Sequence, residues 1–155
     1  MPTMSEPLVK QEGNLRFAAL ACTGYPLDPH ALASRVRDYL EHQEIDAYGP
    51  TTIWLATAPG DDALEAWDCQ VGVACTGMPR PGEGVMIEDY RQLVALSQPH
   101  QGAIRDLPRT WQRLHDHGRS LGHRLRPYWR ISLRRRRLAD GNLLPVADVA
   151  VFLDR

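Results

Sequence analysis

The length of 155 residues fits one domain, and the composition excludes several classes of protein. With 43% hydrophobic and 24% charged residues, the chain is typical of a folded, soluble globular protein and is neither disordered nor membrane-spanning. Residues 1–14 contain no apolar signal segment, and no run of about 18 apolar residues follows them. We therefore expect a cytoplasmic protein that does not associate with a membrane.

The net charge of −1 divides unequally along the chain. Residues 1–83 hold 5 Lys or Arg against 12 Asp or Glu, a net of −7, whereas residues 84–155 hold 13 against 7, a net of +6. A chain polarised in this way steers charged ligands to one side or pairs with a complementary surface. We therefore expect either a homodimer or an acidic protein partner.

The three cysteines, Cys22, Cys69 and Cys75, do not form a disulfide framework, because their number is odd and the chain is not small. Cys69 and Cys75 lie six residues apart in one predicted strand, so their side chains share a face and are expected to be reduced and buried. Neither cysteine nor histidine occurs in clusters with the spacing of metal ligands. We expect no metal and no cofactor.

The first half of the chain predicts a strand, a helix and two further strands. The apolar pattern at 16–24 is typical of a strand. Asp28 and Pro29 then mark the N-cap and the first turn of an amphipathic helix. Strand patterns at 51–60 and 66–77 follow, with a polar turn between them.

The second half repeats this order after a connector at 78–84 that is rich in Pro and Gly. It comprises a strand at 90–97, a helix at 107–122 and strands at 127–135 and 146–153, with a turn pattern at Asp140–Asn142. The repetition predicts an α+β fold of two tandem strand–helix–strand–strand modules, at 15–77 and 85–155, preceded by a flexible segment at 1–14.

His100 lies just before the second helix, in "LSQPHQGAIRDLPRTW", and is a candidate catalytic base. The matching corner of the first half, "CTGYPLDP", has a glycine and a helix-starting proline but no histidine. The two corners share the turn itself, and the sequence identifies no partner for a base. We therefore favour a structural role for His100 at a strand-to-helix corner.

Several motifs along the chain point to one family. They are "H-x-G" at His100 and Gly102, the helix residues Leu107, Trp111 and Leu114, the strands "PYWRISL" and "DVAVFL", and "GPTTIWLATAPG" and "WDCQVGVACTG" in the first half. With these motifs, residues from about 16 to 153 resemble the GyrI-like effector-binding fold, which also forms the ligand domains of bacterial multidrug-sensing and AraC-type transcription regulators. The resemblance implies a pseudo-twofold axis relating the modules around a central cleft for flat, aromatic and often cationic compounds.

The resemblance also implies a Glu on the fifth strand, where the family commonly meets a cation. This sequence departs from that pattern, because "W-R-I-S" stands where "F-E-I-Y" is expected. Arg130 takes the Glu position and Ser132 the Tyr position, and no Asp or Glu lies between Arg119 and Ala139. We therefore expect an anionic rather than a cationic group of the ligand at this position.

Alternation along "PYWRISL" divides this strand into an apolar face, which includes Trp129 and is expected to pack under the helices, and a polar face. The polar face carries Tyr128, Arg130 and Ser132. An Arg fork beside a Tyr and a Ser suits a carboxylate, phosphate or sulfonate. An outward-facing sheet edge would show the same pattern, and both interpretations stay open.

Four tryptophans supply further candidates for ligand contact. Trp111 and Trp129 lie on apolar stripes, which favours the core for both. Of Trp54 and Trp67, we expect one to line the cleft, because pockets are mostly apolar with a few polar groups. The candidate ligand-binding residues are Trp54, Trp67, Trp111, Tyr128, Arg130 and Ser132.

The basic run "LRRRRL" at 133–138 raises the question of nucleic-acid binding, because clustered Arg neutralises phosphates. The chain contains no helix-turn-helix pattern, and its overall charge is slightly acidic. We therefore favour a solvated hairpin end, or contact with an acidic protein surface, over contact with nucleic acid.

The sequence offers little support for catalysis, since it contains no nucleophile-elbow, zinc-protease, P-loop or dinucleotide motif. Some members of the resembled family are hydrolases of reactive natural products, and here Asp68 and Glu88 are the acids nearest the cleft strands. Other members inhibit gyrase through protein contacts. We favour a stand-alone protein that senses or sequesters a flat aromatic, anionic compound, with a hydrolase and an interaction inhibitor as alternatives.

Overall fold

The computed structural model describes residues 6–60 and 63–154 and contains six strands and two α-helices. The strands are β1 (Leu8–Thr23), β2 (Ala47–Leu55), β3 (Asp68–Cys75), β4 (Val85–His100), β5 (Arg124–Arg137) and β6 (Leu143–Asp154), and the helices are α1 (Pro29–His42) and α2 (Leu107–Ser120). The order strand, helix, strand, strand therefore occurs twice, which confirms the predicted α+β class.

All six strands pair antiparallel in one sheet that closes on itself in the order β1-β3-β2-β5-β6-β4. Within each half, the third strand lies between the first and the second. The halves join through β1 with β4 and through β2 with β5. Because the closing pairs join one half to the other, the two halves form a single body.

Both helices begin where the sequence places a proline in the first turn. The Asp28 side chain accepts a hydrogen bond from the Ala31 amide at 3.0 Å, which caps α1 as predicted. Helix α1 buries Ala33, Val36 and Leu40 against β1, β2 and β3. Helix α2 buries Leu107 and Leu114 among others and packs against β4, β5 and β6. Each module therefore covers its own strands with its own helix.

Strand alternation separates the core into a helix side and a face without helix contacts, which we name the cleft face. On the helix side, Trp129 and Ile131 are fully buried, as the sequence predicts. The cleft face carries Phe17, Ala19, Trp54, Leu93, Ala95, Ala150 and Phe152, with Leu15, Tyr90 and Tyr128 packed against them. Aromatic rings from five strands thus meet on the cleft face.

Close approach of β1 and β3 depends on Gly72. A Cβ atom built at this position would lie 1.8 Å from the carbonyl oxygen of Ala18, well inside van der Waals contact. No other residue type fits there without separating the strands, because the obstructing atom belongs to the backbone. Gly72 therefore fixes the spacing of two strands that form the wall of the cleft face.

The N-terminal boundary differs from the expectation. We expected residues 1–14 to be flexible, but residues 8–14 are part of β1 and pair with β4, so the prediction is wrong for them. These residues form backbone hydrogen bonds to a strand about eighty positions away, which their polar local sequence does not indicate. Residues 1–5 lie outside the described residues, as do Asp61 and Asp62 of the predicted polar turn.

Among the described residues, neither 14-residue helix has the length and apolar character required to cross a bilayer.

Candidate ligand-binding cleft

A cavity of about 430 Å³ opens at one end of the cleft face. Its walls come from β1 to β5, and its lining residues are Ala21, Cys22, Thr23, Trp54, Leu55, Ala56, Asp68, Cys69, Gln70, Glu88, Tyr90 and Tyr128. This volume is within the range of small-molecule sites, which are mostly apolar with a few placed polar groups. We name it the acidic cavity, because Asp68 and Glu88 carry the only charges among the described residues of its lining.

Trp54 is the centre of an aromatic cluster that forms one wall of the acidic cavity. The ring of Tyr90 stacks on it with 4.1 Å between centroids and 8° between planes. Phe152 stacks on it at 5.0 Å, and Tyr128 meets its edge at 5.7 Å. The Trp54 indole Nε1 is buried and has no hydrogen-bond partner among residues 6–60 and 63–154. The cluster therefore presents flat, rigid rings together with one unused donor.

The two acids of the cavity are exposed at its mouth, and neither forms an ion pair among the described residues. Asp68 begins β3, and Glu88 pairs with Phe17 across β1 and β4. Burial raises the pKa of Tyr90 to about 12, and the negative charge of Glu88 contributes. The Tyr90 hydroxyl therefore stays protonated at neutral pH and is available as a donor within the cavity.

Two cysteines lie in the wall of the acidic cavity. Cys22 in β1 and Cys69 in β3 are direct cross-strand partners, and both thiols are free. Burial raises the pKa of Cys69 to about 12, and the neighbouring Cys22 and Asp68 contribute. Cys22 is half-buried, whereas Cys69 and Cys75 are buried. Cys22 is therefore the accessible thiol of the described residues.

A second cavity, of about 260 Å³, lies on the other side of Trp54 and contains Arg130 and Ser132. The Arg130 guanidinium donates from Nη1 to Glu12 Oε1 at 2.6 Å and from Nη2 to Glu12 Oε2 at 2.8 Å. The guanidinium carbon also lies 5.5 Å from the ring centre of Trp54 and 5.1 Å from that of Phe152. Arg130 is therefore held by a carboxylate and two aromatic rings of its own chain.

The expected anionic ligand of Arg130 would have to compete with this internal partner. The charge of Arg130 is already matched by Glu12, which lies in the segment that we expected to be flexible. The two side chains are only 13% and 15% exposed, so a ligand anion would have to replace a carboxylate that is covalently tethered nearby. The sequence did not reveal the pair, because its members lie 118 residues apart.

The structure brings four of the six predicted ligand-binding residues to the cleft face. Trp54 and Tyr128 line the acidic cavity, and Arg130 and Ser132 line the second cavity. Tyr90, which the sequence analysis did not single out, joins them because Gln92 adopts a positive φ of 51° and shifts the alternation of β4. A strand pattern alone does not indicate such a bulge.

Trp67 and Trp111 lie on the helix side and not in the cleft, which corrects their place among the candidate residues. Trp67 is buried and meets the edge of Trp129 at 5.6 Å. Trp111 is half-buried and stacks on His115 at 4.6 Å, one turn along the same helix. Both rings point into the layer between α2 and the sheet, where the apolar stripe of the helix requires cover.

His100 occupies a strand-to-helix corner, in agreement with its predicted structural role. Its Nδ1 lies 2.7 Å from the Thr110 hydroxyl, and its Nε2 lies 2.8 Å from the Ala103 carbonyl oxygen. Both ring nitrogens are therefore used to join the end of β4 to the start of α2. Among residues 6–60 and 63–154, no three His, Cys, Asp or Glu side chains are grouped as metal ligands.

The fold is similar to those of solved structures, although no family model and no curated protein matches the chain. The C-terminal domain of EcmrR superposes with a TM-score of 0.69 at 9% identity, over 97% of this chain and 98% of that domain. A longer EcmrR chain, in complex with DNA, gives 0.71 at 10% identity, and this chain spans 57% of it. A hydrolase from Listeria innocua gives 0.66 at 9% identity, over 99% and 94% of the two chains.

These likenesses define the class of the fold, which is a small α+β domain with a closed six-stranded sheet and two helices. This architecture fits the GyrI-like fold that the sequence motifs resemble. Proteins of this fold include a domain from a protein found in complex with DNA and a protein described as a hydrolase. Because a shared fold hosts different activities, the function of this chain has to be argued from its own cleft.

Proposed function

We propose that this chain is a small-molecule-binding domain and that the acidic cavity is its site. The observation that carries the proposal is the juxtaposition of the Trp54, Tyr90 and Tyr128 rings with the Asp68 and Glu88 carboxylates around about 430 Å³ of open space. Flat rings stack on such walls, and the carboxylates provide polar groups that orient a ligand.

The charges of the cavity favour an aromatic cation as the ligand. Asp68 and Glu88 form no ion pair with any described residue, whereas Arg130, which led us to expect an anion, is neutralised by Glu12 on the far side of Trp54. Aromatic faces attract cations through their quadrupoles, and two carboxylates at the mouth add to that attraction. A cationic ring system is therefore attracted both by the aromatic rings and by the carboxylates, whereas an anion is repelled by the carboxylates at the mouth.

The proposal is tested by isothermal titration calorimetry with acridine orange as a flat cation and fluorescein as a flat anion. We expect binding of acridine orange, and we expect Asp68→Asn with Glu88→Gln to weaken it about tenfold, which corresponds to about 1.4 kcal/mol. The matched control is Glu41→Gln, which removes an exposed acid from α1, away from the cavity lining.

Trp54→Phe provides a second, independent test of the location. It keeps an aromatic ring but removes the indole on which Tyr90 and Phe152 stack, so the cavity wall loosens and acridine orange should bind more weakly, while Trp67→Phe, on the helix side, leaves its affinity unchanged. Binding that is insensitive to Trp54, Asp68 and Glu88 together would place the ligand elsewhere and contradict the proposal, as would a preference for fluorescein.

A second candidate function, hydrolysis of a reactive compound, is favoured by one observation. Two carboxylates and the protonated Tyr90 hydroxyl share one cavity, and acid and base groups of this kind assist hydrolysis. A screen with p-nitrophenyl esters and aryl epoxides tests it. Turnover that is abolished by Asp68→Asn or by Glu88→Gln, and retained in the Glu41→Gln control, would support a hydrolase.

A further inference from the structure

The hairpin of β5 and β6 extends beyond the rest of the sheet. The pairing of β5 with β2 ends at Leu133, and the pairing of β6 with β4 ends at Ala147. Beyond these points, residues 134–137 pair only with residues 143–146. We name residues 134–146 the basic ribbon. Its outer backbone edges have no strand partner among the described residues, and residues 134–145 are exposed.

The basic ribbon combines unpaired cations with exposed apolar side chains. Arg134 is bound to Asp148, but Arg135, Arg136 and Arg137 form no ion pair among the described residues. Leu143 and Leu144 lie directly across from Arg137 and Arg136 and are 48% and 47% exposed. Because side chains alternate along a strand, Arg137 with Leu143 lies on one face of the ribbon and Arg136 with Leu144 on the other, so each face carries an arginine beside an exposed leucine. Such a combination is typical of a protein interface rather than of a purely solvated turn.

A surface of the opposite charge lies on the same chain, which carries a net of −7 over residues 1–83. Four exposed acids, Asp38, Glu41, Glu44 and Asp46, extend along the end of α1 and form no ion pair among the described residues. We name them the acidic surface. The C-terminal end of a helix is itself partly negative, so a cation from outside is favoured there.

The two surfaces lie at the same end of β2. The acidic surface ends at Asp46, immediately before β2 begins, and Thr51 of β2 pairs with Leu133 at the base of the basic ribbon. A twofold axis near this end would place each ribbon on the acidic surface of the other copy, so that one isologous interface contains both contacts. Direct pairing of two ribbons along their edges would instead bring arginines together.

We propose that the basic ribbon docks on the acidic surface of a second copy of this chain and so forms a homodimer. Charge complementarity carries the choice of partner, since both signs are present on one chain, are exposed and have no ion-pair partner within the described residues. Whichever face of the ribbon docks, one exposed leucine, Leu143 or Leu144, supplies the apolar contact that such an interface covers.

Sedimentation velocity of the full chain tests the proposal with two charge-reversal variants. One replaces Arg135, Arg136 and Arg137 by Glu, and the other replaces Asp38, Glu41 and Glu44 by Lys. Each variant alone should be monomeric, because both of its surfaces then carry the same sign. An equimolar mixture should form a heterodimer, because the acidic ribbon meets the basic surface and the basic ribbon meets the acidic surface.

Raising the salt concentration should weaken wild-type association about tenfold or more, because exposed charge pairs are screened. The control variant, Arg105→Glu with Arg119→Glu, changes two exposed charges elsewhere and should dimerise like the wild type. Circular dichroism and retained acridine orange binding verify that the variants are folded.

A monomeric wild type at low salt would overturn the proposal, and so would two monomeric variants whose mixture stays monomeric. A 20-base-pair DNA duplex added to the wild type tests whether nucleic acid, rather than a second copy of the chain, is the partner of the basic ribbon. Binding of the duplex by a monomer, lost in the ribbon variant, would assign the basic ribbon to nucleic acid and also overturn the proposal.

Discussion

Glu12 binds Arg130 through two parallel hydrogen bonds of 2.6 and 2.8 Å, from the first strand to the fifth. The pair lies against the Trp54 and Phe152 rings, so the chain carries its own cation and its own counter-ion within the aromatic cluster. It closes one end of the cleft face with an internal contact, and the acidic cavity on the opposite side of Trp54 remains open.

Arg130→Ala should lower the free energy of unfolding by about 3 kcal/mol, because it leaves the Glu12 carboxylate largely buried without its partner. Urea denaturation measures the loss, and added methylguanidinium should restore part of it by filling the vacated place. The matched control is Asp148→Asn, which breaks the more exposed pair with Arg134 and should cost less than about 1 kcal/mol. Equal losses of unfolding free energy in the two variants would contradict a stabilising role for the Glu12–Arg130 pair.

Alkylation by iodoacetamide at pH 8 should modify Cys22 and spare Cys69. The thiolate is the reactive form, and burial keeps the Cys69 pKa at about 12, whereas Cys22 is half-buried at the cavity. Bound acridine orange should slow the modification of Cys22, as followed by mass spectrometry of tryptic peptides. Cys22→Ser should remove the fast-reacting thiol, and rapid labelling of Cys69 in that variant would contradict its burial.

The free energy of unfolding should fall as the pH rises from about 10 to about 12. Tyr90 has a pKa of about 12 in the folded protein against about 10 in the unfolded chain, so the unfolded state loses its proton first. Stability from this group is therefore complete below pH 10 and is lost toward pH 12. Denaturant titrations across this range should show a shallower fall for Tyr90→Phe than for wild type. An unchanged slope would show that Tyr90 ionises with an ordinary pKa.

Gly72→Ala should destabilise the protein by roughly 1–3 kcal/mol or more, because the new methyl group meets the Ala18 carbonyl oxygen. Thermal unfolding provides the measurement, and acridine orange affinity should fall with it, since β1 and β3 both line the cavity. Gly60→Ala is the control, because no neighbouring atom of the described part of the chain lies within 4 Å of a Cβ at that position. A Gly72→Ala protein as stable as wild type would mean that the strands are further apart than described.

Local pattern was sufficient to predict most of the elements. The N-cap at Asp28, the two prolines of the first helical turns and the strand alternation around Trp129 act through neighbouring residues, and each was confirmed where it was expected. The candidate site was predicted in part, since Trp54 and Tyr128 line the cavity but Trp67 and Trp111 do not. The sequence pattern around a Trp on an apolar stripe is the same whether its ring faces a helix or a cleft.

The sequence by itself determined the α+β class, the repeated order of elements and the opposite charges of the two halves, because periodicity and composition are local or additive properties. Only the tertiary structure decided that residues 8–14 complete β1, that Glu12 neutralises Arg130, and that Asp68 and Glu88 share a cavity with Tyr90. These relations depend on sheet register and on a bulge at Gln92, which join residues far apart along the chain. The charge of the proposed ligand follows from those long-range contacts, so the local pattern around Arg130 could not predict it.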